Sequence, residues 1–497
     1  MAFPSVTQTP EASSPPPSPP TVSRMSINNL PSEILAKIFT EYLYDHSLER
    51  AGLKPLTGSY RRVAVSKGAV TSPLQLGHVC ALWRTAVFFN PGLWSHLYVD
   101  QPEEQDAELL KLWCKQGRST WRHPLYLTFI QKRATDSERN PSTGQALFWQ
   151  CLEESMRWRT AILYLGAELE ELIMGQVSHL APMLRAFHLD LHRWGKEAKQ
   201  SFCERLLSGP LVWKGAWGAE TPFSVSTFHS ISWSSLSSIS IGSTPLSDLL
   251  KVVQLAPNVA HLSVCVLFRP LSHLGQPRSP HRLRRLQWLE VANPHVCAIP
   301  QHSVLQFFLD SLILPSLTTI VLRPSNLFYE RDWLALSKLV DRSGCNLETL
   351  VWPNVIDISA FELQGIVTQG TETLQEAQSP ERDTMMLEQL KYASSHFEAL
   401  RTGIRHLEIQ CPTGRRTIDH LTISIQEEEE VLFPFLRSIK LHHCVCAYHA
   451  GARRIEQMRE SRQPSLVDLE VGSTGDISED PFETWRNAGI LGADRLN

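Results

Sequence analysis

From about residue 120 onward the apolar positions of the chain repeat a short pattern: one apolar residue, two variable positions, a second apolar residue, one variable position, and a third apolar residue. The copies are LRAFHL from Leu184, LSSISI from Leu236, VAHLSV from Val259, LQWLEV from Leu286, LTTIVL from Leu317, LETLVW from Leu347, IRHLEI from Ile404, LRSIKL from Leu436 and LVDLEV from Leu466. In each, the last two apolar positions alternate across a variable one, as a short strand buried on one side requires. Between copies, PLSDLLKVVQLAP, DWLALSKLVDRSG and HAGARRIEQMRES place apolar residues every three or four positions and predict helices. Starts from Leu236 to Leu347 lie 23, 27, 31 and 30 residues apart, and the last three are separated by 32 and 30. One strand and one helix cannot bury their own apolar faces, so this spacing predicts stacked units sharing a continuous core.

Two gaps interrupt the array. The 52 residues from Leu184 to Leu236 predict a hidden unit around PLVWKGAW, and the 57 from Leu347 to Ile404 predict an insertion around 370–402, polar at first and helical near 383–402. HPLYLTFI (123–130) and WRTAILYL (158–165) predict leading strands that cap the array. The variable residues Arg185, Ser240, Ser263, Glu290, Val321, Val351, Glu408, Lys440 and Glu470 should point away from the core.

The N-terminal hundred residues follow a helical period instead. In LPSEILAKIFTEYL, Ile34, Leu35, Ile38, Phe39, Tyr42 and Leu43 recur at helical spacing, so one face is almost wholly apolar. Pro31 suits the first turn, and Glu33 sets a negative charge near the positive end of the helix dipole. Ser72, Pro73 and Gln75 then form a capping box that opens a second helix. Leu76, Val79, Cys80, Trp83 and Val87 share a face of that helix, Asn90 and Pro91 stop it, and Leu93, Trp94 and Leu97 follow. So small a module cannot bury this many large side chains within itself, and some of the face should meet another protein.

These strings resemble an F-box. The resemblance rests on a leucine-proline pair with a short apolar helix (Leu30, Pro31, Ile34, Leu35, Ile38), a V-C-x-x-W segment (Val79, Cys80, Trp83) and a later L-W pair (Leu93, Trp94). It implies a three-helix surface that binds the Skp-type linker subunit of an SCF (cullin-RING) ubiquitin ligase and, through it, the cullin. The 32 residues between Leu43 and Leu76 are more than most F-boxes allow and resemble insertions in the divergent F-box-like families of mushroom-forming fungi. The insertion's basic cluster, Arg61, Arg62 and Lys67, reads as a solvated loop. The strand pattern resembles a degenerate leucine-rich-repeat array, which implies parallel strands on a concave side and helices on a convex side. The fold class expected is therefore α/β, a small N-terminal helical F-box followed by an irregular leucine-rich-repeat-like solenoid with parallel strands. The expected organisation is a disordered proline- and serine-rich tail at 1–24, a helical domain at 25–99 with a loop insertion at 45–71, and the array at 100–497. The resemblance implies a non-catalytic adaptor that binds a protein substrate. A repeat scaffold with no ligase connection is the alternative.

Composition narrows the chemistry. The apolar fraction of 42% is ordinary, and a net charge of −4 with 47 dispersed basic residues lacks the footprint expected for nucleic acid. No positively charged leader with an apolar stretch opens the chain, and no apolar run approaches about 18 residues, which predicts a cytosolic or nuclear protein without membrane contact. Ten irregularly spaced cysteines predict free, mostly buried thiols. His442, His443, Cys444, Cys446 and His449 crowd together in LHHCVCAYH but lack the separated ligand pairs of a closed zinc site, so neither metal nor cofactor is expected. The glutamates in SIQEEEEVL read as an exposed acidic loop. No phosphate loop, nucleophile elbow or paired-histidine zinc motif occurs, and no catalytic residue is expected.

Overall fold

The computed structural model describes residues 27, 30–44, 63–64, 72–117, 123–131, 141–174, 181–207, 209, 211–218, 223–225, 231–267, 280–293, 304–324, 330–352, 380–413, 418–419, 421–422, 432–444, 449–463 and 465–473. The expected tail, the cluster Arg61, Arg62 and Lys67, the first part of the expected insertion and the glutamate run lie outside the described residues.

The strands are β1 (Val63–Ala64), β2 (His96–Asp100), β3 (Leu125–Ile130), β4 (Trp158–Leu165), β5 (Ala186–Leu191), β6 (Lys214–Trp217), β7 (Ser238–Pro245) and β8 (His261–Leu267). They continue with β9 (His281–Arg282), β10 (Trp288–Asn293), β11 (Leu312–Ile313), β12 (Thr319–Pro324), β13 (Thr349–Trp352), β14 (His406–Thr413), β15 (Ser438–Cys444) and β16 (Asp468–Ser473). Apart from β9 and β11, which pair with each other, the described strands form one 14-stranded sheet whose order follows the chain. Every pairing in it is parallel except that of β1 with β2. The molecule is a mixed α/β structure built on a large, mostly parallel sheet.

In all nine sequence copies the strand begins at the third position of the pattern. The register then aligns the fourth positions, so that Ile239, Leu262, Leu289, Ile320, Leu350 and Leu407 stand side by side, all buried. The hydrogen-bond ladder starts one residue earlier, at the second position: Arg185 N–H donates to Arg159 O (2.8 Å), Trp213 to Arg185 O (3.0 Å) and Arg437 to Arg405 O (2.7 Å). Apolar residues of alternating position meet the core, and slipping by one residue would turn them to the other face.

The helices are α1 (Ser32–Tyr44), α2 (Pro73–Gly77), α3 (Ala81–Phe88), α4 (Ala107–Gly117), α5 (Pro141–Glu153), α6 (Glu170–Met174), α7 (Lys196–Leu206), α8 (Leu246–Leu255), α9 (Val304–Asp310), α10 (Glu330–Ser343), α11 (Pro380–His396), α12 (Glu398–Gly403) and α13 (His449–Ser461). From α4 onward they cover the apolar side of the sheet. Leu246, Leu249, Val252 and Val253 of α8 are buried, as are Trp333, Leu336, Leu339 and Val340 of α10. α10 ends at Gly344, whose φ of +60° an L side chain rarely adopts. Its N–H returns to Val340 O at 3.0 Å. α11 and α12 occupy the region read as helical between Leu347 and Ile404.

The hidden unit is β6. Val212 takes its first position, but Gly215 stands where an apolar side chain is usual, between Phe187 and Ile239 in register. A Cβ on Gly215 would lie 2.7 Å from Phe187 Cζ and 2.9 Å from a ring carbon of Trp217. Those two aromatics, 4.9 Å apart and edge to face, fill the space that the missing side chain leaves.

Successive units are also tied by arginines near helix C-termini, where a cation is favoured. Arg342 donates to Leu309 O (2.9 Å) and Leu312 O (3.0 Å) of the preceding unit. Arg462, just past α13, is buried and donates to Phe433 O (3.1 Å), Leu432 O (2.7 Å) and Leu421 O. Burial pushes its pKa down to about 10, which leaves it charged at neutral pH.

Candidate docking surface

In α1 the Pro31 carbonyl accepts from the Ile34 and Leu35 N–H groups at 3.1 and 3.0 Å, so the proline opens the first turn. The apolar residues of α1 form two stripes rather than one face. Leu35, Phe39 and Leu43 are buried, whereas Ile34, Ile38 and Tyr42 are 46, 40 and 50 % exposed. Phe39 packs against Trp83 of α3 with ring centroids 4.7 Å apart, which joins the two helices.

The second helix expected from Ser72 to Asn90 is broken into α2 and α3 by a turn at His78 and Val79. Gln75 caps α2 by accepting from the Ser72 N–H at 3.1 Å, as the capping box requires. Gly77 ends that helix, and Cys80 restarts the chain as an N-cap, its sulfur accepting from Trp83 N–H at 3.5 Å. A glycine forfeits about 1 kcal/mol of helix propensity, and five residues cannot sustain a helix through it. The break lifts Val79 to 61 % exposure while Leu76 stays buried. Leu82 and Phe89, on the same side of α3 by spacing, are 37 and 83 % exposed.

The next turn, a 3-10 helix at Pro91–Trp94, is capped by the Asn90 side chain, which accepts from Gly92 N–H at 3.2 Å. Trp94 donates to Val87 O at 3.0 Å and meets the Trp113 ring of α4 edge to face at 5.3 Å. Trp113 in turn donates to Trp94 O (3.2 Å) and His96 O (3.1 Å). The helical segment therefore shares one core with the sheet. β2 runs across the boundary expected at residue 99, and β1, from the segment expected to be a loop, pairs with it antiparallel.

Of the ten positions that carry the resemblance, Pro31, Ile34, Ile38 and Val79 face solvent, and Leu30, Cys80 and Trp83 are half-buried. Leu35, Leu93 and Trp94 are 0 % exposed and correct the expectation that they meet a partner: they lie in the chain's own core and can only position the others. Tyr42, Leu82 and Phe89 belong to the surface and were missing from the expected set. Their only signal in the sequence is the surplus of large apolar residues over what two short helices can bury. Exposed apolar clusters are found where a protein meets another protein, a membrane or a ligand.

The side of the sheet opposite the helices carries a second set of polar groups. Tyr98 O–H donates to Asp100 at 3.1 Å, and burial holds its pKa well above the usual tyrosine value. Burial, reinforced by Asp190, pushes Tyr164 up to about 12. Its ring lies 5.0 Å from that of His188, whose pKa burial lowers to about 4. His188 is thus neutral in the folded chain at pH values where the unfolded chain binds a proton. Stability from this group is complete above an unfolded pKa of about 6.5 and falls by up to about 3 kcal/mol as pH drops to 4. Urea titrations of His188→Gln between pH 7 and 4 should show a correspondingly shallower loss than wild type. An equal slope would remove His188 as the cause.

The outward expectation needs two corrections. Arg185 precedes β5, and the outward strand position of its unit belongs to His188. Glu290, Val321 and Val351 point away from the helices in register, yet they are buried. Cys80, Cys114, Cys151, Cys203, Cys265 and Cys345 are free thiols, and burial raises the pKa values of Cys151 and Cys203, which keeps them protonated. Cys446 and the side chains of His442, His443, Cys444 and His449 lie outside what the structure describes, and elsewhere among the described residues no group of three or more metal-ligating side chains converges. No helix among them is long and apolar enough to cross a membrane. No protein-family model and no curated protein matches the chain.

Proposed function

We propose that the chain is the non-catalytic substrate-recognition subunit of an SCF-type ubiquitin ligase, working in the cytoplasm or nucleus. In this reading the segment from Leu30 to Trp94 is an F-box that docks on a Skp-type linker subunit and, through it, on the cullin. The strand–helix array is a leucine-rich-repeat-like solenoid that holds a protein substrate, so that proximity to the ubiquitin-charged enzyme does the catalytic work. The observation that carries the reading is the apolar surface left open on α1 and α3. Ile34, Ile38 and Tyr42 of α1, Leu82 of α3, and Val79 and Phe89 in the turns that flank α3 are all at least 37 % exposed, and the two helices pack together. Fully burying a side chain of this size contributes about 1.5–3 kcal/mol, and several together can offset an association cost of about 4–15 kcal/mol.

Co-expression with a Skp-type linker subunit tests it. Wild type should retain the linker through purification, and Ile34→Asp or Val79→Asp should each weaken retention at least about tenfold with an unchanged thermal melt. Both positions are exposed, so neither change opens a cavity. A wild-type chain that fails to retain the linker would sink the ligase reading. A repeat scaffold in which the helices merely cap the sheet would then stand, a reading that draws on the core shared through Trp94 and Trp113.

A further inference from the structure

At the end of the sheet where β4, β5 and β6 begin lies a surface that the docking site on α1 and α3 does not use. Met156, Met183, Leu211 and Trp213 are each between 39 and 53 % exposed there. Met183 and Leu211 stand immediately before the first apolar position of their units, and Trp213 occupies the second. Arg159 and Arg185 fill the second positions of the two preceding units. The ladder bonds from Arg185 N–H to Arg159 O (2.8 Å) and from Trp213 N–H to Arg185 O (3.0 Å) hold the three residues in a row. Neighbours in such a row sit about 4.8 Å apart. Lys214 follows Trp213 and is exposed, as is Arg185.

The charge of this rim is unbalanced. Arg159, Arg185 and Lys214 have no ion pair among the described residues. Of the two carboxylates that precede Met156, that of Glu154 is buried and engaged by Arg157 at 2.8 Å, and that of Glu153, at the end of α5, is the exposed one. The chemistry also has an edge. In the next unit Ser235 and Ser237 occupy the rim, and their hydroxyls donate to the carbonyls of Val212 (3.0 Å) and Trp213 (3.2 Å).

Three cations set among a tryptophan, a leucine and two methionines match a partner that brings carboxylates and apolar anchors together. Methionine adapts its shape to an anchor, and tryptophan and arginine are the side chains that most often dominate binding energy. A nucleic acid would draw on a longer run of basic residues than this rim offers, and it would bring no aliphatic anchors to Leu211 and Met183. We propose that the rim of β4–β6 docks an acidic segment of a protein partner, its carboxylates on Arg159, Arg185 and Lys214 and its apolar side chains on Trp213, Leu211 and Met183.

The test uses the full chain and a fluorescein-labelled peptide in which glutamate alternates with leucine and phenylalanine, read by anisotropy. Wild type should bind it in a salt-sensitive manner, at least about tenfold more tightly than the same peptide with lysine in place of glutamate. Arg159→Glu with Arg185→Glu should reverse that preference, and Trp213→Ala should weaken glutamate-peptide binding about tenfold. Circular dichroism checks the fold. Should the charge-reversed chain not fold, Leu211→Ser with Met183→Ser at the exposed anchors replaces it, with the same expected weakening. The proposal is overturned if wild type ignores the glutamate peptide, if the variants bind it as wild type does, or if labelled oligothymidylate binds more tightly than the peptide.

Discussion

Trp94→Ala is expected to destabilise the N-terminal units by about 3–5 kcal/mol, the usual cost of emptying a buried aromatic site. Trp94 is 0 % exposed, and three elements meet on it. Its indole N–H holds Val87 O at 3.0 Å, one face stacks on Phe88 at 5.8 Å, and Trp113 meets it edge to face at 5.3 Å. Alanine would remove all three and leave the Val87 carbonyl without that partner. Trp94→Phe keeps a ring and loses the hydrogen bond, so it should cost about 1 kcal/mol for the bond plus a smaller packing term. Hydrogen exchange followed by mass spectrometry gives the decisive readout. Amides of α1, α3 and β2 should exchange faster in Trp94→Ala, while those of β12–β16 keep their protection, because stacked units pass stability mainly to their neighbours. Unchanged protection of α1 and α3 would show that the helical segment does not depend on this residue. The contrast with Ile34→Asp separates roles: one position supports the docking surface and the other belongs to it.

Arg462→Leu should have an effect of similar size at the opposite end, about 3 kcal/mol or more, since a buried carbonyl stripped of its donor costs about 1–3 kcal/mol. The guanidinium donates to the carbonyls of Leu421, Leu432 and Phe433, and the side chain is 1 % exposed. Of these carbonyls, that of Phe433 also accepts from Leu436 N–H at 3.2 Å, so the penalty falls chiefly on Leu421 and Leu432. Arg462→Lys retains the charge but cannot reach three acceptors from one planar fork, and should recover only part of the loss. Faster exchange confined to β14–β16 and α13, with β3–β6 unaffected, is the expected signature. A change spread evenly over the sheet would contradict the clamp.

Much of the array was legible because its signal is local and repeated. A strand buried on one side must alternate, and the nine copies fixed both the strands and their register, each strand starting two residues after the first apolar position. Helices such as α8 and α10 were equally plain from their apolar period. β6 was legible only as a gap. At Gly215 the apolar volume is supplied by Phe187 and Trp217, so the copy lost the residue by which the pattern is recognised.

By itself, the sequence determined which residues are apolar, at what period they recur, and hence that short helices precede a stack of strand–helix units, whose parallel direction was implied only by the resemblance to leucine-rich repeats. Only the tertiary structure decided which apolar stripe of α1 is covered, that Gly77 and Cys80 split one expected helix into two, and that Trp94 closes inward while Val79 turns out. It also withdrew Glu290, Val321 and Val351 from solvent on a face that alternation assigned to water. The physical reason is common to all of these. Periodicity is written by neighbours three or four positions along the chain, whereas burial is settled by whichever distant element arrives to exclude water, and the pattern of a single segment carries no record of it.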